Sequence, residues 1–246
     1  MLRKLPNRNA FLLLSTRCRY FGSIMIFGDS NTWGFDPRSV GQPTAVRIAH
    51  EKRWTTLLQK QLGPDVQVYV EALNARTTVF NDPISPCDGD YDCTGRNVFK
   101  TLLHSHKPLS LVIIALGTND LKDKFNTSPH DIVNGVRVLA MDVKRATSIA
   151  ESPGKSPKIL IIGPPQVQST PISKLWGFSE EVDKKSKRVS SLLAVVAKDM
   201  NVGFVNLAKA ATVSDIDGVH FSEEEQPSIA AAVGKEVARL LELPTS

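Results

Sequence analysis

The feature that most constrains the fold is an apolar run that ends abruptly in Gly28-Asp29-Ser30. The run, residues 24–27, is rich in branched side chains and is typical of a buried β-strand. Gly28 allows a sharp turn, and Asp29 and Ser30 are residue types that begin helices. A serine on a strand-to-helix turn lies at the carboxyl edge of the sheet, where open α/β folds bind their ligands. Backbone N–H groups of such a turn would stabilise an oxyanion that forms there.

Strand and helix patterns alternate along the rest of the chain. Further apolar runs predict strands over residues 66–70, 109–116, 158–162 and 202–206. Amphipathic patterns predict helices over residues 54–62, 97–106, 129–151, 180–200 and 222–243, with long loops over 32–49 and 74–95. Five short strands separated by helices indicate an α/β protein with a five-stranded parallel sheet, a three-layer α/β/α fold of the flavodoxin-like type. No linker or repeat interrupts residues 23–246, which are predicted to form one domain.

Residues 1–22 differ from the rest of the chain in charge. They hold five Lys and Arg and no acid, whereas the rest carries 25 basic and 25 acidic side chains, so the leader accounts for the net charge of +5. An Arg-rich, acid-free leader is typical of a transit peptide and favours a mitochondrial or other organelle matrix location. The alternative is an untargeted extension on a cytoplasmic protein, with Met25 as the effective start. The balanced remainder gives no case for nucleic-acid binding, and no apolar run approaches the ~20 residues of a membrane span.

Three other polar segments follow predicted strands, and parallel strands would bring them to the edge that holds Ser30. They contain Ala75, Asn119 and the pair Asp217 and His220. An acylating serine needs a base, an acid that orients the base and at least two oxyanion donors. His220 is the candidate base, and Asp217, three residues earlier, is its candidate orienting acid. The side-chain amide of Asn119 and the backbone N–H groups of Ala75 and Ser30 are candidate oxyanion donors.

These segments resemble the four sequence blocks of the SGNH (GDSL-type) hydrolases. Gly28-Asp29-Ser30, the segment 71–78, Gly117-Thr118-Asn119-Asp120 and Asp217-x-x-His220 occur in the family's order. The fuller patterns around them resemble the arylesterase and acyltransferase branch. The resemblance implies a serine esterase that cleaves short-chain or aryl esters through an acyl-enzyme, with acyl transfer to alcohols in some members. It also implies that no cofactor and no metal is needed, and that the partner is a small-molecule ester.

Carried over by position, the resemblance makes Ser30 the nucleophile, His220 the base and Asp217 its partner, with Ser30, Ala75 and Asn119 lining the oxyanion hole. The nearby Asp215 competes for the acid's role, but the spacing to His220 favours Asp217.

Two positions depart from the family pattern. Asn31 stands where leucine is common, which places a polar side chain beside the nucleophile. Ala75 stands where glycine is usual, and we expect its N–H to serve as a donor if its φ is negative. Asp29 is interpreted as a backbone-bonding residue that shapes the turn, and not as a second acid.

Four aromatic residues and a lysine are candidate substrate-binding residues. Trp33 and Phe35 either line an acyl pocket or pack under the loop that follows Ser30. Trp176 and Phe178 either cap the pocket or form a subunit contact, so the sequence leaves a homo-oligomer open. Lys122 matches the branch pattern, and is otherwise a solvated lysine.

Neither the acidic segment 88–92 nor the cysteines indicate a metal or a disulfide framework. The acidic segment lacks the glycine and the closing glutamate of a calcium loop, because Cys93 and Phe99 stand there. Cys87 and Cys93 are close enough to pair, but reduced cysteines are the simpler interpretation.

Two other functions stay open on the sequence. A carbohydrate O-deacetylase or a thioesterase would use the same triad, and only a panel of substrates separates them from an esterase. A non-catalytic flavodoxin-like binding module is the alternative outside the enzymes. The chain has no Gly-rich phosphate fingerprint, which argues against that module.

Overall fold

The computed structural model describes residues 22–84, 91–152 and 154–243. Five strands form one sheet in which every neighbouring pair is parallel. They are β1 (Gly22–Gly28), β2 (Val66–Ala72), β3 (Leu111–Ala115), β4 (Lys158–Gly163) and β5 (Gly203–Asn206). The order β2-β1-β3-β4-β5 is that of flavodoxin-like sheets. The direction in which strands are added reverses between β1 and β3, where such sheets open a crevice for ligands.

Helices cover both faces of this sheet. They are α1 (Ser30–Trp33), α2 (Trp54–Leu62), α3 (Gly95–Ser105), α4 (Pro129–Arg145), α5 (Pro171–Leu175), α6 (Val182–Asp199) and α7 (Gln226–Leu241). One apolar core joins the sheet to α3, α4 and α6, and a second joins it to α2 and α7. The predicted three-layer α/β/α fold with a five-stranded parallel sheet is confirmed.

Strand β1 shows why the central run is so apolar. Met25 and Phe27 lie in one core, and Ile24 and Ile26 lie in the other. Successive side chains of a strand point to opposite faces, so a strand covered on both sides needs apolar residues at every position. This run therefore fixes β1 in the middle of the sheet, and with it the place of the turn that follows.

Four of the five predicted helices differ in their bounds from the structure, and two of them differ by four residues or more at one end. The helix predicted over residues 129–151 ends at Arg145, and a short 3-10 turn, Thr147–Ile149, follows. Beyond the helix, the carbonyl of Ile149 accepts a hydrogen bond from Leu109 N at 2.7 Å, which holds this segment beside the start of β3. The last helix begins at Gln226 and not at 222, after a 3-10 turn over Glu223–Glu225.

The short helix α5 was not predicted, although its sequence carries a start signal. Thr170 caps it, Pro171 is its first residue, and Ser173 completes a capping box with Thr170. A Thr-Pro pair followed by a hydrogen-bonding residue at the third helical position is a recognised helix start. Five residues are too few for a helical period, so the pattern of apolar residues alone misses it.

Some sequence predictions lie outside the described residues. These are the targeting role of the leader, almost all of which is undescribed, the acidic segment up to residue 90 and any pairing of Cys87. Strand β1 begins at Gly22, one residue before the predicted domain. None of the described helices combines the length and the hydropathy that crossing a membrane would need.

Candidate active site

Ser30 is the first residue of α1, directly after the turn that closes β1. The Asp29 side chain caps this helix by accepting a hydrogen bond from Asn31 N at 3.0 Å, which confirms its interpretation as a backbone-bonding residue. Burial raises the pKa of the Asp29 carboxyl. Gly28 is needed here for space, because a Cβ at this position would lie 2.2 Å from Thr32 Oγ1. The turn thus holds Ser30, 6% exposed, at the carboxyl edge of the sheet.

His220 and Asp217 lie on the loop between β5 and α7, and this loop reaches Ser30. His220 Nε2 is 2.7 Å from Ser30 Oγ, and His220 Nδ1 is 2.8 Å from Asp217 Oδ2. The other Asp217 oxygen accepts hydrogen bonds from the backbone N–H groups of Val219 and His220 at 2.8 and 2.9 Å. Asp217 is fully buried, whereas Asp215 is exposed and has no such contact described. A hydroxyl, an imidazole and a carboxylate therefore form one hydrogen-bonded line, which is the geometry of serine acyl transfer.

Asn119 and Ala75 approach the same point from the ends of β3 and β2. Asn119 Nδ2 donates to Arg76 O at 3.1 Å and has a second hydrogen to offer. Ala75 has a φ of 57°, so the condition that its φ be negative is not met. A left-handed alanine costs roughly 1–2 kcal/mol, which explains why glycine is usual at this position. Both residues line the same cavity as Ser30.

A buried arginine, Arg76, stabilises the turn in which Ala75 has a positive φ. The Arg76 guanidinium lies 4.3 Å over the Phe27 ring and donates to the carbonyls of Gly28 and Glu71 at 3.2 and 2.5 Å. Burial lowers the pKa of Arg76 to about 10, which still leaves it charged at neutral pH. Arg76 therefore ties the end of β1 to the turn after β2, and sequence reasoning did not assign it this role.

Asp120 joins the second and third sequence blocks. Its carboxylate accepts hydrogen bonds from Thr78 N, at 3.0 Å to one oxygen and 3.2 Å to the other, and from the Thr78 hydroxyl. The Asp120 side chain is fully buried, and this burial raises its pKa to about 6. At neutral pH Asp120 is therefore mainly ionised, but burial makes its charged form less favourable than that of a carboxylate in water.

Replacing Asp120 by asparagine should change how stability depends on pH. The pKa of Asp120 is higher in the folded protein than in the unfolded chain, so its contribution to stability is complete below about pH 4 and is lost as pH rises through about 6. Asparagine has no proton to lose, and its oxygen can still accept from Thr78. The free energy of unfolding of Asp120→Asn, relative to wild type, should therefore increase between pH 4 and 7 in denaturant titrations. The exposed Asp215→Asn is the control, and an Asp120→Asn difference that stays flat across this range would contradict the argument.

A small aromatic cavity of about 190 Å³ opens in front of Ser30 and His220. The Phe35 ring stacks on the His220 imidazole with 4.3 Å between centroids, and the Trp176 ring meets it edge-on at 5.6 Å. The residues around the cavity are Ser30, Phe35, Ala45, Asn74, Ala75, Asn119, Lys122, Trp176, Phe178, Val219 and His220. Of these, sequence reasoning missed Ala45, Asn74 and Val219. Asn74 and Val219 had a signal, because they directly precede Ala75 and His220 in the sequence.

Two of the candidate substrate-binding residues, Trp33 and Lys122, had two interpretations each, and they lie in different places relative to the cavity. Trp33 is not among the residues that line the cavity, and its ring lies 4.6 Å under the Arg47 guanidinium. Lys122 is not a solvated lysine, since it is 3% exposed and lines the cavity, with Nζ 5.8 Å from the centre of the Phe178 ring. The structure thus brings Phe35, Lys122, Trp176 and Phe178 to the cavity and leaves Trp33 outside it.

A larger cavity of about 830 Å³ lies at the opposite edge of the sheet, among residues that include Ser110, Lys158 and Arg239. These positions precede or begin β3 and β4 or end α7, so they are remote from Ser30. The described residues of its lining include no histidine or cysteine.

The family model of GDSL-like lipases/acylhydrolases matches residues 24–233, which include every residue of this site. The chain belongs to this family. A GDSL-like hydrolase is a serine hydrolase that acts on ester bonds, in agreement with the sequence resemblance. No curated protein matches the chain. Among the described residues, no group of three or more His, Cys, Asp or Glu side chains is arranged to hold a metal ion.

Solved structures of other proteins resemble this GDSL hydrolase over most of its length. The native aryl esterase of M. smegmatis is 34% identical, with a TM-score of 0.80 over 89% of this chain and 99% of that one. Est24, a carbohydrate acetylesterase from Sinorhizobium meliloti, is 35% identical, with the same TM-score and coverage. A carbohydrate acetylesterase family member from the same organism is 32% identical, with a TM-score of 0.80 over 90% of this chain and 100% of that one.

Proposed function

We propose that this GDSL hydrolase cleaves short-chain or aryl carboxylic esters through an acyl-enzyme on Ser30. The observation that carries the proposal is the line of hydrogen bonds from Ser30 through His220 to Asp217, at one end of a small aromatic cavity. The resemblance of the whole chain to an aryl esterase supports the same conclusion.

In the first half of the reaction, Ser30 Oγ attacks the ester carbonyl carbon and its proton passes to His220 Nε2. Asp217 accepts the Nδ1 hydrogen and stabilises the imidazolium that forms. The carbonyl oxygen becomes an oxyanion, for which Asn119 Nδ2 and the N–H groups of Ser30 and Ala75 are the donors. The positive φ of Ala75 does not remove its N–H hydrogen, and the residue lines the cavity, so we keep it as a donor. The C–O bond of the ester then breaks, and the leaving alcohol takes the proton from His220.

In the second half, water replaces the alcohol. His220 takes a proton from water, the hydroxide oxygen bonds to the acyl carbon, and the bond to Ser30 Oγ breaks with return of the proton to the serine. An alcohol that enters in place of water would be acylated, which is the acyl transfer that the resemblance implies.

The cavity supports small acyl or aryl groups as substrates. Its volume of about 190 Å³ is below the ~300–1,000 Å³ of pockets that hold drug-sized ligands. Phe35, Trp176 and Phe178 provide an apolar wall beside His220, and the buried Lys122 adds one cation to it. A long acyl chain would have to leave the cavity and lie against solvent, so it gains little from binding.

A carbohydrate acetylesterase is the second candidate, because two similar structures are carbohydrate acetylesterases. The acetyl group of a sugar ester would occupy the same small cavity. Only the alcohol side differs, since a sugar would lie at the mouth and an aryl alcohol would stack on the aromatic wall.

A substrate panel tests the proposal. We expect kcat/KM for p-nitrophenyl esters to be highest with acetyl to butyryl groups and to fall with longer chains, and phenyl acetate to be cleaved well. An acetylated monosaccharide with a higher kcat/KM than phenyl acetate would favour the second candidate, and an acyl thioester series tests for a thioesterase. Absence of hydrolysis across the panel would overturn the proposed function.

Removing the Asn119 amide should slow catalysis without removing substrate binding. Loss of one oxyanion donor costs about 10²–10³ in kcat, so Asn119→Ala should lose that much while KM changes little. Asn97→Ala on α3, an exposed amide that binds Asp92, is the matched control and should keep wild-type kcat. A thermal melt of each variant checks folding, because Asn119 also bonds to Arg76. An unchanged kcat in folded Asn119→Ala would remove Asn119 from the mechanism.

A further inference from the structure

Asn31, directly after Ser30, holds the loop that carries His220. Its Nδ2 donates to the carbonyl of Val219 at 3.2 Å, and its Oδ1 accepts from the backbone N–H of Phe221 at 3.2 Å. One buried amide therefore binds the backbone on both sides of His220. Val219 and Phe221 lie 188 and 190 positions after Asn31 in the chain, so this side chain links two segments that are distant in the sequence.

Asn31 is itself fixed by hydrogen bonds to its backbone. Its N–H donates to Asp29 Oδ1 at 3.0 Å, and its carbonyl accepts from Trp54 Nε1 at 3.1 Å. The backbone N–H of Trp54 donates to Gln226 Oε1 at 3.0 Å, and Gln226 Nε2 donates to the carbonyl of Ser222 at 3.1 Å. The bonds thus form a circuit from the turn at Ser30, through the starts of α2 and α7, back to the His220 loop.

The Ser30–His220 contact needs such a link more than the His220–Asp217 contact does. Asp217 and His220 are three residues apart, and the bonds from Asp217 to the intervening backbone fix them locally. Ser30 and His220 lie near opposite ends of the domain's sequence, 190 positions apart. Their 2.7 Å distance therefore depends on how their two loops pack against each other. A displacement of about 1 Å in such a pair is enough to cost ~10²-fold in rate.

We propose that Asn31 is a positioning residue that sets the distance and direction between Ser30 Oγ and His220 Nε2. Its amide bonds to the backbone of Val219 and Phe221, and it is not among the residues that line the cavity, so it acts through the backbone of His220 and not on substrate. A leucine at this position could fill the space but could not direct the loop through hydrogen bonds. The inference rests on the proposed roles of Ser30 and His220.

Two variants of the full chain test this positioning role. Asn31→Leu conserves volume and removes both hydrogen bonds, whereas Asn31→Ala leaves room for water to hydrate the two backbone groups and so protects folding. We expect both to lose roughly 10–100-fold in kcat for p-nitrophenyl acetate, with KM within about twofold of wild type. The rate of inactivation by a fluorophosphonate should fall in parallel, since it also requires an activated Ser30.

The matched control is Asn206→Ala, which removes an amide whose oxygen accepts only a local bond from Ala208 N in the structure. It should keep wild-type kcat even if its melting temperature falls as far as that of the Asn31 variants. Wild-type kcat in folded Asn31→Leu would overturn the inference, as would a loss of folding in both Asn31 variants, which would make Asn31 a stability residue. Ser30→Ala distinguishes this failure from failure of the proposed function, because an active Ser30→Ala would refute the acyl-enzyme itself.

Discussion

Ser30→Ala is expected to lower kcat for p-nitrophenyl acetate by at least ~10³-fold, with the fold intact. The Ser30 oxygen is the atom that His220 Nε2 contacts at 2.7 Å, and alanine leaves that base without a nucleophile to activate. The oxyanion donors and the aromatic wall would remain, so the variant should still bind ester and retain the slow reaction that binding alone supports. Steady-state kinetics on the purified variant measure this loss.

Covalent labelling tests whether Ser30 is the residue that reacts. A fluorophosphonate should label wild type at Ser30, as read by peptide mass spectrometry, and should leave Ser30→Ala unlabelled. Ser190→Ala is the matched control, because Ser190 is also buried but donates to Pro164 O on the α6 side of the sheet. It should keep both labelling and kcat. Labelling at another serine, or full activity without Ser30, would show that the reaction does not pass through this residue.

The fold could be predicted because its evidence is local. Each strand was visible as a short apolar run, and the rule that helices alternate with parallel strands placed the ends of β1, β2 and β3 at one edge. The same rule predicts from the sequence that Ser30, Asn119 and the His220 loop lie together. The predicted bounds were wrong where the chain makes tertiary contacts outside the helix, as at Ile149, whose carbonyl accepts a hydrogen bond from Leu109 N.

The details of the site could not be predicted because they depend on contacts between distant segments. Nothing in the local sequence shows that Ala75 adopts a positive φ. The turn is stabilised by hydrogen bonds from the Arg76 side chain to the carbonyls of Gly28 and Glu71. A lysine in a loop is normally solvated, and only the packing of Phe178 and the cavity wall reveals that Lys122 is buried. The polar residue Asn31 was noticed as a departure, but its partners lie at the other end of the chain.

These contacts also separate the site into a rigid part and a selective part. Ser30, His220 and Asp217 are held in place by backbone and side-chain hydrogen bonds within the protein. Phe35 and Trp176 contact the imidazole through ring faces and edges but form no hydrogen bond of the proposed triad, so the shape of the proposed acyl space is set by side chains outside that triad. Differences in substrate among similar hydrolases are therefore expected to lie in this wall.

Asp217→Asn should lower kcat by about 10⁴-fold, a larger effect than loss of any single oxyanion donor. Asp217 Oδ2 accepts the hydrogen of His220 Nδ1, which leaves Nε2 free of hydrogen and able to take the proton of Ser30. An asparagine amide in that place would donate to Nδ1 and favour the tautomer with hydrogen on Nε2. The imidazole would then present a donor to Ser30 and could not act as its base.

The fold should survive this change, which makes the loss a test of mechanism. Asparagine retains the oxygen that accepts from the N–H groups of Val219 and His220, so the loop keeps its shape. Asp215→Asn, two residues earlier on the same loop and exposed, removes a charge of the same kind and should leave kcat within about twofold of wild type. Equal losses in the two variants would mean that the charge of the loop matters and not the tautomer of His220. A wild-type kcat in folded Asp217→Asn would remove Asp217 from the triad, because a neutral amide at 2.8 Å from Nδ1 cannot hold the imidazole in the form that accepts a proton from serine.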